Sequence, residues 1–318
     1  MIRSLLKNII KKTGGYISSL LVYKKFYQLY NFIYERSPYF FTHLAGKYIA
    51  LPDRNNEWKI LLENGKQLNT SILAGNAKTR QFAVSYQWHS PELNFTEYLL
   101  NQYFDKRVPW IDVGANLGMR SLLSLSEGRP VFFIEPNKEL NVLNRERCEL
   151  NNFLNYTFFE VGASDREGYS SFYIDNSSYN STLTTNLLQN EEILKEETIE
   201  IATIDSLFLN LLEHAETACI KVDVEGHELQ VLEGAKLFIK SFSPTMIIEV
   251  NDSSNHFQEF RKIVKSYDYE LFAIVSRKAG KYFEKIHHNQ QIKAYPYSND
   301  FLTTKDIGLI KQIEKYTL

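Results

Sequence analysis

"WIDVGANLGMRS", residues 110–121, is the stretch on which this chain is read. An apolar strand runs straight into a Gly-Ala-Asn-Leu-Gly turn, and a helical pattern follows. A strand-to-helix connection needs only a short polar loop, so glycines at 114 and 118 point to a backbone that something approaches closely. Such a loop directs free N–H groups and the positive end of a helix dipole into the crevice beyond the sheet, which makes it a ligand seat. Glu135 closes "VFFIEP" about 20 residues further on, the distance at which an acidic side chain accepts hydrogen bonds from the ribose hydroxyls of an adenosine-type ligand. A nucleoside-bearing cofactor is implied. The plainer reading gives the glycines to turn geometry alone and makes Glu135 a surface acid.

Outward from that stretch the pattern alternates. "VPWIDVG" reads as a buried strand and "NLGMRSLLSLSEG" as a helix closed by Gly128. "PVFFIEP" is the next strand, "NKELNVLNRERCELNN" the next helix, and "YTFFEVGAS" a third strand. A less regular insert, residues 168–205, holds strand-like "GYSSFYI" and "ETIEIATI"; residues 176–192, rich in Asn, Ser and Thr, read as a loop. "ACIKVDV", a helix over 226–240 and "PTMIIEV" resume the alternation, and "YELFAIV" suggests one strand more. Near-continuous apolar strands between helices predict an α/β fold with a mostly parallel central sheet and helices on both faces. Ligands of such sheets bind at the carboxyl ends of the strands.

The 318 residues are 44% apolar and 23% charged, enough for one large domain and an appendage, with a formal net charge of -2 that gives no whole-molecule footprint for nucleic acid. Cys148 and Cys219, far apart in apolar surroundings, read as reduced thiols. No apolar run reaches the roughly 18 residues of a spanning helix, and the charged N-terminus lacks a signal peptide's apolar core; a cytoplasmic protein is expected. Residues 1–36 carry seven basic residues against the single acid Glu35. Ile2, Leu5, Leu6, Ile9 and Ile10 recur at helical spacing between Arg3, Lys7, Lys11 and Lys12. This describes a basic amphipathic helix that packs on the catalytic domain or a partner, or reversibly touches an anionic membrane surface. The expected division is a basic, largely helical extension over residues 1–80 and a catalytic domain over 81–318.

The loop does not fit the dinucleotide fingerprint, because Asn116 stands where the middle glycine of G-x-G-x-x-G belongs. It does match the D/E-x-G-x-G-x-G loop of class I methyltransferases with that one replacement. "DVGANLG", then "FIEPNKELNVLNRE", then "IKVDVEGHELQVLEGA" with "IIEV" behind it together resemble the FkbM family of S-adenosylmethionine-dependent methyltransferases, over roughly residues 84–275. The resemblance implies a class I methyltransferase Rossmann-like fold, S-adenosylmethionine as cofactor, and O-methylation of sugars and other small metabolites. It makes Asp112, Gly114, Asn116 and Gly118 the methionine-side loop and Glu135 the ribose acceptor. Val161, Gly162 and Ala163 would frame the adenine; the acidic residue many such enzymes place there is missing at 163, and only Asp165 is near. Residues 1–80 lie outside the resemblance.

Methyl transfer from a sulfonium to an alcohol needs the acceptor oxygen held against the methyl carbon and its proton removed. The end of "IKVDVEGHE" belongs above the sulfonium, which makes Asp223 the first candidate for the base. His227 is the second, since its ordinary pKa lies near neutral. Glu225 joins them, or favours the N-terminus of the next helix beside Gly226. Lys221, on the same side of the strand as Asp223, is expected to satisfy a carboxylate. No metal is expected, although Asp223, Glu249 and Asn251 offer three oxygen ligands for magnesium. The acceptor is expected to be a saccharide, glycolipid or related metabolite. Tyr169, Phe172, Tyr173 and Tyr179 could stack on a ring, and Asn180, Ser181 and Thr182 could read its hydroxyls. Nucleic acid is not expected, because the fourth strand ends in "DVEG" and not in the N/D-P-P-Y/F pattern of exocyclic-amine methylation. A nicotinamide-dependent oxidoreductase and a non-catalytic, membrane-associated scaffold are the alternatives.

Overall fold

The computed structural model describes residues 56–72, 90–175, 182–183, 193–250, 254–275, 280–287 and 299–318. The basic helix read over residues 2–12 lies outside them. The chain divides into two compact units, residues 1–91 with 146–152, and residues 92–145 with 153–318. In the first unit β1 (Asn56–Leu61) and β2 (Gln67–Ile72) pair antiparallel, Leu61 opposite Gln67. These residues fall in the extension expected to be largely helical, and here they are strand. Ile60, Leu68 and Thr70 are buried. Gly65 adopts φ +81 after Asn64, so the Asn-Gly pair that favours a hairpin stands in the turn.

The second unit is built on α1 (Pro91–Tyr103), β3 (Trp110–Val113), α2 (Leu122–Ser126), β4 (Val131–Ile134), α3 (Lys138–Leu150), β5 (Tyr156–Phe159), β6 (Gly162–Ala163), β7 (Gly168–Asp175) and β8 (Ile193–Ala202). It continues through α4 (Ile204–Phe208), β9 (Cys219–Val222), α5 (Glu228–Glu233), α6 (Lys236–Phe242), β10 (Thr245–Glu249), α7 (Ser254–Ser266), β11 (Glu270–Ile274), β12 (Phe283–Ile286), β13 (Asp300–Thr304) and α8 (Ile307–Glu314). An eight-stranded sheet runs in the order β12-β11-β13-β10-β9-β3-β4-β5. From β10 to β5 every neighbour is parallel, and β13 enters antiparallel between β10 and β11. Strands β3, β4 and β9 are buried at every residue, as strands covered on both faces must be. Ile111 and Val113 share one core with Val231, Phe238, Phe257 and Phe260. Alternation turns Asp112 to the other face, where its carboxylate meets Ser121.

Three local expectations are corrected. The third strand breaks: Tyr156–Phe159 stays in the large sheet, whereas Gly162–Ala163 pairs with Ile201–Ala202 in a separate three-stranded sheet with β7. The helix after the opening loop is a 3-10 turn, Met119–Ser121, followed by the short α2. The helix read over 226–240 is two, α5 and α6, parted at Gly234. A Cβ there would lie 2.0 Å from the Ser164 carbonyl oxygen; glycine admits that close approach and weakens the helix at the same point.

Candidate active site

The opening loop leaves β3 through three left-handed residues, Gly114 (φ 73), Asn116 (φ 49) and Gly118 (φ 66). Asn is the residue that tolerates this region best after glycine, which accounts for Asn116 where a middle glycine is usual. Gly114 admits no side chain: a Cβ would stand 1.9 Å from the Asp223 carbonyl oxygen. The loop is tied to the end of the next strand, since the Gly114 N–H donates to the Ile134 carbonyl at 3.0 Å. Asn116 N–H donates to Glu135 Oε2 and Asn137 N–H to Glu135 Oε1, both at 2.8 Å. Burial pushes the Glu135 carboxyl up to about 7 despite these donors.

Across the sheet, register gathers charge. Asp112 lies opposite Lys221, Ile247 opposite Lys221, and Asp300 opposite Glu249. Because residues two apart share a face, Asp112, Lys221, Asp223, Glu249 and Asp300 lie together on one face of the sheet. Lys221, 6% exposed, places its Nζ 2.7 Å from Asp223 Oδ2 and 3.9 Å from Asp112 Oδ1. Burial opposes the Lys221 ammonium, but the Asp223 and Asp112 carboxylates outweigh it and raise its pKa above the ordinary value. Burial alone would raise Asp223; Lys221 and a hydrogen bond from Glu249 overcome it and hold Asp223 low and ionised. The Asp223 charge, then burial, pushes Glu249 up to about 11, so Glu249 keeps its proton. Burial followed by Asp223 pushes Asp300 up to about 7.

A cleft opens between these two groups. Gly114, Asn116 and Glu135 line one part, Gly162 and Ala163 another, and Asp223 and Glu225 a third. Gly162 leaves no room for a side chain, because a Cβ there would meet Ile199 and Ile201 within 3.3 Å. Four sequence candidates stand outside this lining. Asp112 is fully buried below the loop. Gly118 packs against Asn144 and Phe133. Val161 packs against the core. His227 turns its Nε2 to Ser164 Oγ at 3.0 Å, with Asp165 on the far side of that hydroxyl at 3.1 Å, and burial lowers the imidazole pKa.

Of the side chains considered for the acceptor, Phe172 is buried and lines the cleft, Tyr169 is 74% exposed and stands outside the lining, and Tyr173 pairs through its backbone with Thr182. Thr182 lines the cleft and donates its hydroxyl to the Glu225 carbonyl at 2.9 Å. Tyr179, Asn180, Ser181 and the possible magnesium ligand Asn251 lie outside the described residues. Asp223, Glu225 and Glu249 each bring one carboxylate oxygen to within 4.8 Å of the others. Sequence reasoning missed Asp300, Arg120 and Glu228. Arg120, buried, pairs with Glu97 at 3.1 Å and Asn94 at 2.7 Å. A basic residue inside the otherwise apolar run after Gly118 was the signal for it.

A mostly parallel sheet with an antiparallel strand inserted between β10 and β11, a glycine loop after β3 and an acid ending β4 define a class I S-adenosylmethionine-dependent methyltransferase domain. The sequence of the chain matches the methyltransferase FkbM domain over residues 112–271, and the chain belongs to that family. Among curated proteins none matches in sequence. Similar solved structures include the methyltransferase FkbM from Methylobacillus flagellatus KT, with 16% identity over 72% of this chain and 55% of that one and a TM-score of 0.41. This chain thus spans about half the length of that relative. A SAM-dependent methyltransferase from Agrobacterium tumefaciens matches with 12% identity over 80% and 71% of the two chains and a TM-score of 0.44. Magnesium protoporphyrin IX methyltransferase from Synechocystis PCC 6803, solved with bound SAM, matches with 12% identity over 73% and 85% and a TM-score of 0.39. Among the described residues no helix is long and apolar enough to cross a membrane.

Proposed function

We propose that this methyltransferase acts on a hydroxyl oxygen of a saccharide, glycolipid or related small metabolite, with Asp223 as the base. The observation that carries this reading is the buried Lys221 locked to Asp223 Oδ2 at 2.7 Å while Asp223 lines the cleft. An ionised carboxylate held in one orientation and fixed on the side opposite Glu135 suits an acceptor whose proton must leave as it attacks. Glu225, on the same wall, suits a second hydroxyl of a polyol, since a carboxylate accepts.

The residues present fit the cofactor. Glu135 spends one direction of each oxygen on a backbone donor, and a carboxylate retains about two further lone-pair directions for the ribose hydroxyls. Gly114 and Asn116 present loop backbone to the methionine tail, and Gly162 and Ala163 give a wall for the adenine. When bound, S-adenosylmethionine supplies an electrophilic methyl group on a sulfonium. The protein binds and orients the acceptor, takes its proton at Asp223, and keeps His227 on Ser164 behind that wall. The acceptor carries no nucleic acid in this reading, and residues 1–36 bring a cytoplasmic enzyme into peripheral contact with the membrane where glycolipids are assembled.

The test is calorimetric binding of S-adenosylmethionine and S-adenosylhomocysteine, with NAD as control, followed by turnover on a panel of saccharide acceptors by wild type and Asp223→Asn. Binding of both sulfur nucleosides and a saccharide-dependent turnover lost in Asp223→Asn are expected. Binding without turnover on any hydroxyl acceptor would refute the acceptor class. Unchanged vesicle partitioning after deletion of residues 1–36 would refute the membrane contact.

A further inference from the structure

The wall of the cleft that carries Asp223 and Glu225 is a turn in an unusual conformation, with two consecutive left-handed residues, Glu225 (φ 53) and Gly226 (φ 93). A non-glycine residue in that region is strained unless its surroundings hold it. The turn folds two backbone N–H groups, of Val224 and Gly226, toward one point. Such a concavity of converging N–H groups is an anion-binding nest. Its occupant is intramolecular: Glu228 Oε1 accepts from the Gly226 N–H at 2.9 Å and from the Val224 N–H at 3.3 Å. Glu228 is 1% exposed and stands at the first residue of α5. A buried carboxyl is costly, and an apolar side chain would serve a helix packed against the core better.

From the front, Thr182 donates to the Glu225 carbonyl at 2.9 Å. From below, the Asp223 N–H donates to the Val113 carbonyl at 3.0 Å, and Gly114 leaves room for the Asp223 carbonyl. The side contacts fix the ends of the turn, whereas Glu228 alone among these partners accepts from the two N–H groups flanking its strained residue. We propose that Glu228 is a positioning residue whose carboxyl fills the nest at Val224 and Gly226 and thereby sets the Asp223–Glu225 wall against the bound ligand. The proposal rests on the reading of that wall as the catalytic side of the cleft.

The experiment compares wild type with Glu228→Met, which keeps volume and helix propensity but removes the acceptor, and with Glu228→Gln, whose single amide oxygen can accept both N–H groups. Amide hydrogen exchange is followed at residues 224–226 and across α5, and S-adenosylhomocysteine binding is measured by calorimetry. In Glu228→Met, exchange is expected to rise at Val224 and Gly226 while α5 stays protected, and binding to weaken about tenfold, the equivalent of one lost hydrogen bond. Glu228→Gln is expected to restore both to within about twofold, a difference smaller than one such bond. Exchange rising equally along α5 would show a helix-end role only, and a Gln variant as impaired as the Met variant would show that the charge and not the acceptor matters; either overturns the proposal. Should Glu228→Met fail to fold, the Gln variant still decides. A wild type that binds no S-adenosylhomocysteine would refute the cofactor reading while the exchange data still judged Glu228.

Discussion

Cofactor affinity is expected to depend on pH through Glu135, and the structure sets both the direction and the range. The two carboxylate oxygens already accept from Asn116 and Asn137, so ribose hydroxyls must use the remaining lone pairs as acceptors. A protonated carboxyl turns one of those acceptors into a donor and loses the charge that strengthens the others. Burial pushes the group up to about 7, so its anionic fraction falls roughly tenfold for each pH unit below that value, and the affinity falls with it. S-adenosylhomocysteine is therefore expected to bind about tenfold more weakly at pH 6 than at pH 8, and roughly a hundredfold more weakly at pH 5. Glu135→Gln removes the titration. Its amide offers one oxygen, so the N–H of Asn116 or of Asn137 loses its acceptor, and at most one ribose hydroxyl keeps a good partner.

A hydrogen bond to a charged group contributes about 1.5–3 kcal/mol, so the Gln variant should bind roughly 10- to 150-fold more weakly at pH 8. Its affinity should then be flat across the same range. Isothermal titration calorimetry at matched ionic strength measures both curves, and ionisations of the ligand appear equally in each and cancel in the ratio. Parallel pH curves for wild type and variant, or equal affinity at pH 8, would refute the assignment of the ribose to Glu135.

Three further outcomes follow from particular distances. Gly114→Ala places a Cβ 1.9 Å from a backbone oxygen at φ 73 and should cost about 2–5 kcal/mol from overpacking and a left-handed alanine together. Gly128→Ala, at φ 77 with nothing within 4 Å, should cost only about 1–2 kcal/mol, and chemical denaturation of the two variants separates clash from conformation. Lys221→Met leaves Asp223 and Asp112 without their buried cation and should destabilise by about 3–5 kcal/mol; Asp223→Asn keeps a side chain of the same size beside the ammonium, so its loss of turnover should exceed 100-fold with S-adenosylhomocysteine binding retained. Finally, Glu135, Glu228 and Asp300 are each raised by burial to about 7. A carboxyl raised in the folded state contributes stability that is complete below its ordinary value and lost as pH rises through about 7. His227 and His256, both held low by burial, oppose this, but their opposition ends above an ordinary imidazole pKa of about 6.5 and three carboxyls outweigh two imidazoles, so the melting temperature of the unliganded protein should fall from pH 5.5 to pH 8. A rise over that range would contradict the burial of these acids.

The parallel half of the sheet was legible because each strand is a short apolar run bounded by turn residues, and period and punctuation agree. The turn over residues 114–118 was legible for the same reason, and Asn116 could be accepted there because asparagine enters the left-handed region. What failed was local breakage. "YTFFEVGAS" reads as one strand, yet its last residues pair with Ile201 and Ala202, about 40 residues on in sequence. Gly234 looks like an interior helix glycine until Ser164 is seen against it. The hairpin at residues 56–72 was announced by Asn64–Gly65 and lost under the basic helical signal further upstream.

The acidic side of the cleft shows why a site can hide in a readable fold. Asp223 follows a strand that sequence places, but its protonation is set together with Glu249, and Glu249 meets Asp300 only because β13 runs antiparallel beside β10. "NDFLTT" carries one aspartate and a mixed polar pattern, and nothing in it tells which strand it will join. That pairing matters chemically. Without Asp300 and Glu249, Lys221 would be one cation between two carboxylates, Asp112 and Asp223, already an excess of negative charge in a buried cluster. With them the cluster holds four acids and one lysine, and the least costly distribution of protons leaves Asp223, the member closest to the ammonium, ionised while Glu249 keeps its proton. A single ionised carboxylate thus arises from the competition for one buried lysine, a property of strand order that no residue in the cluster has alone.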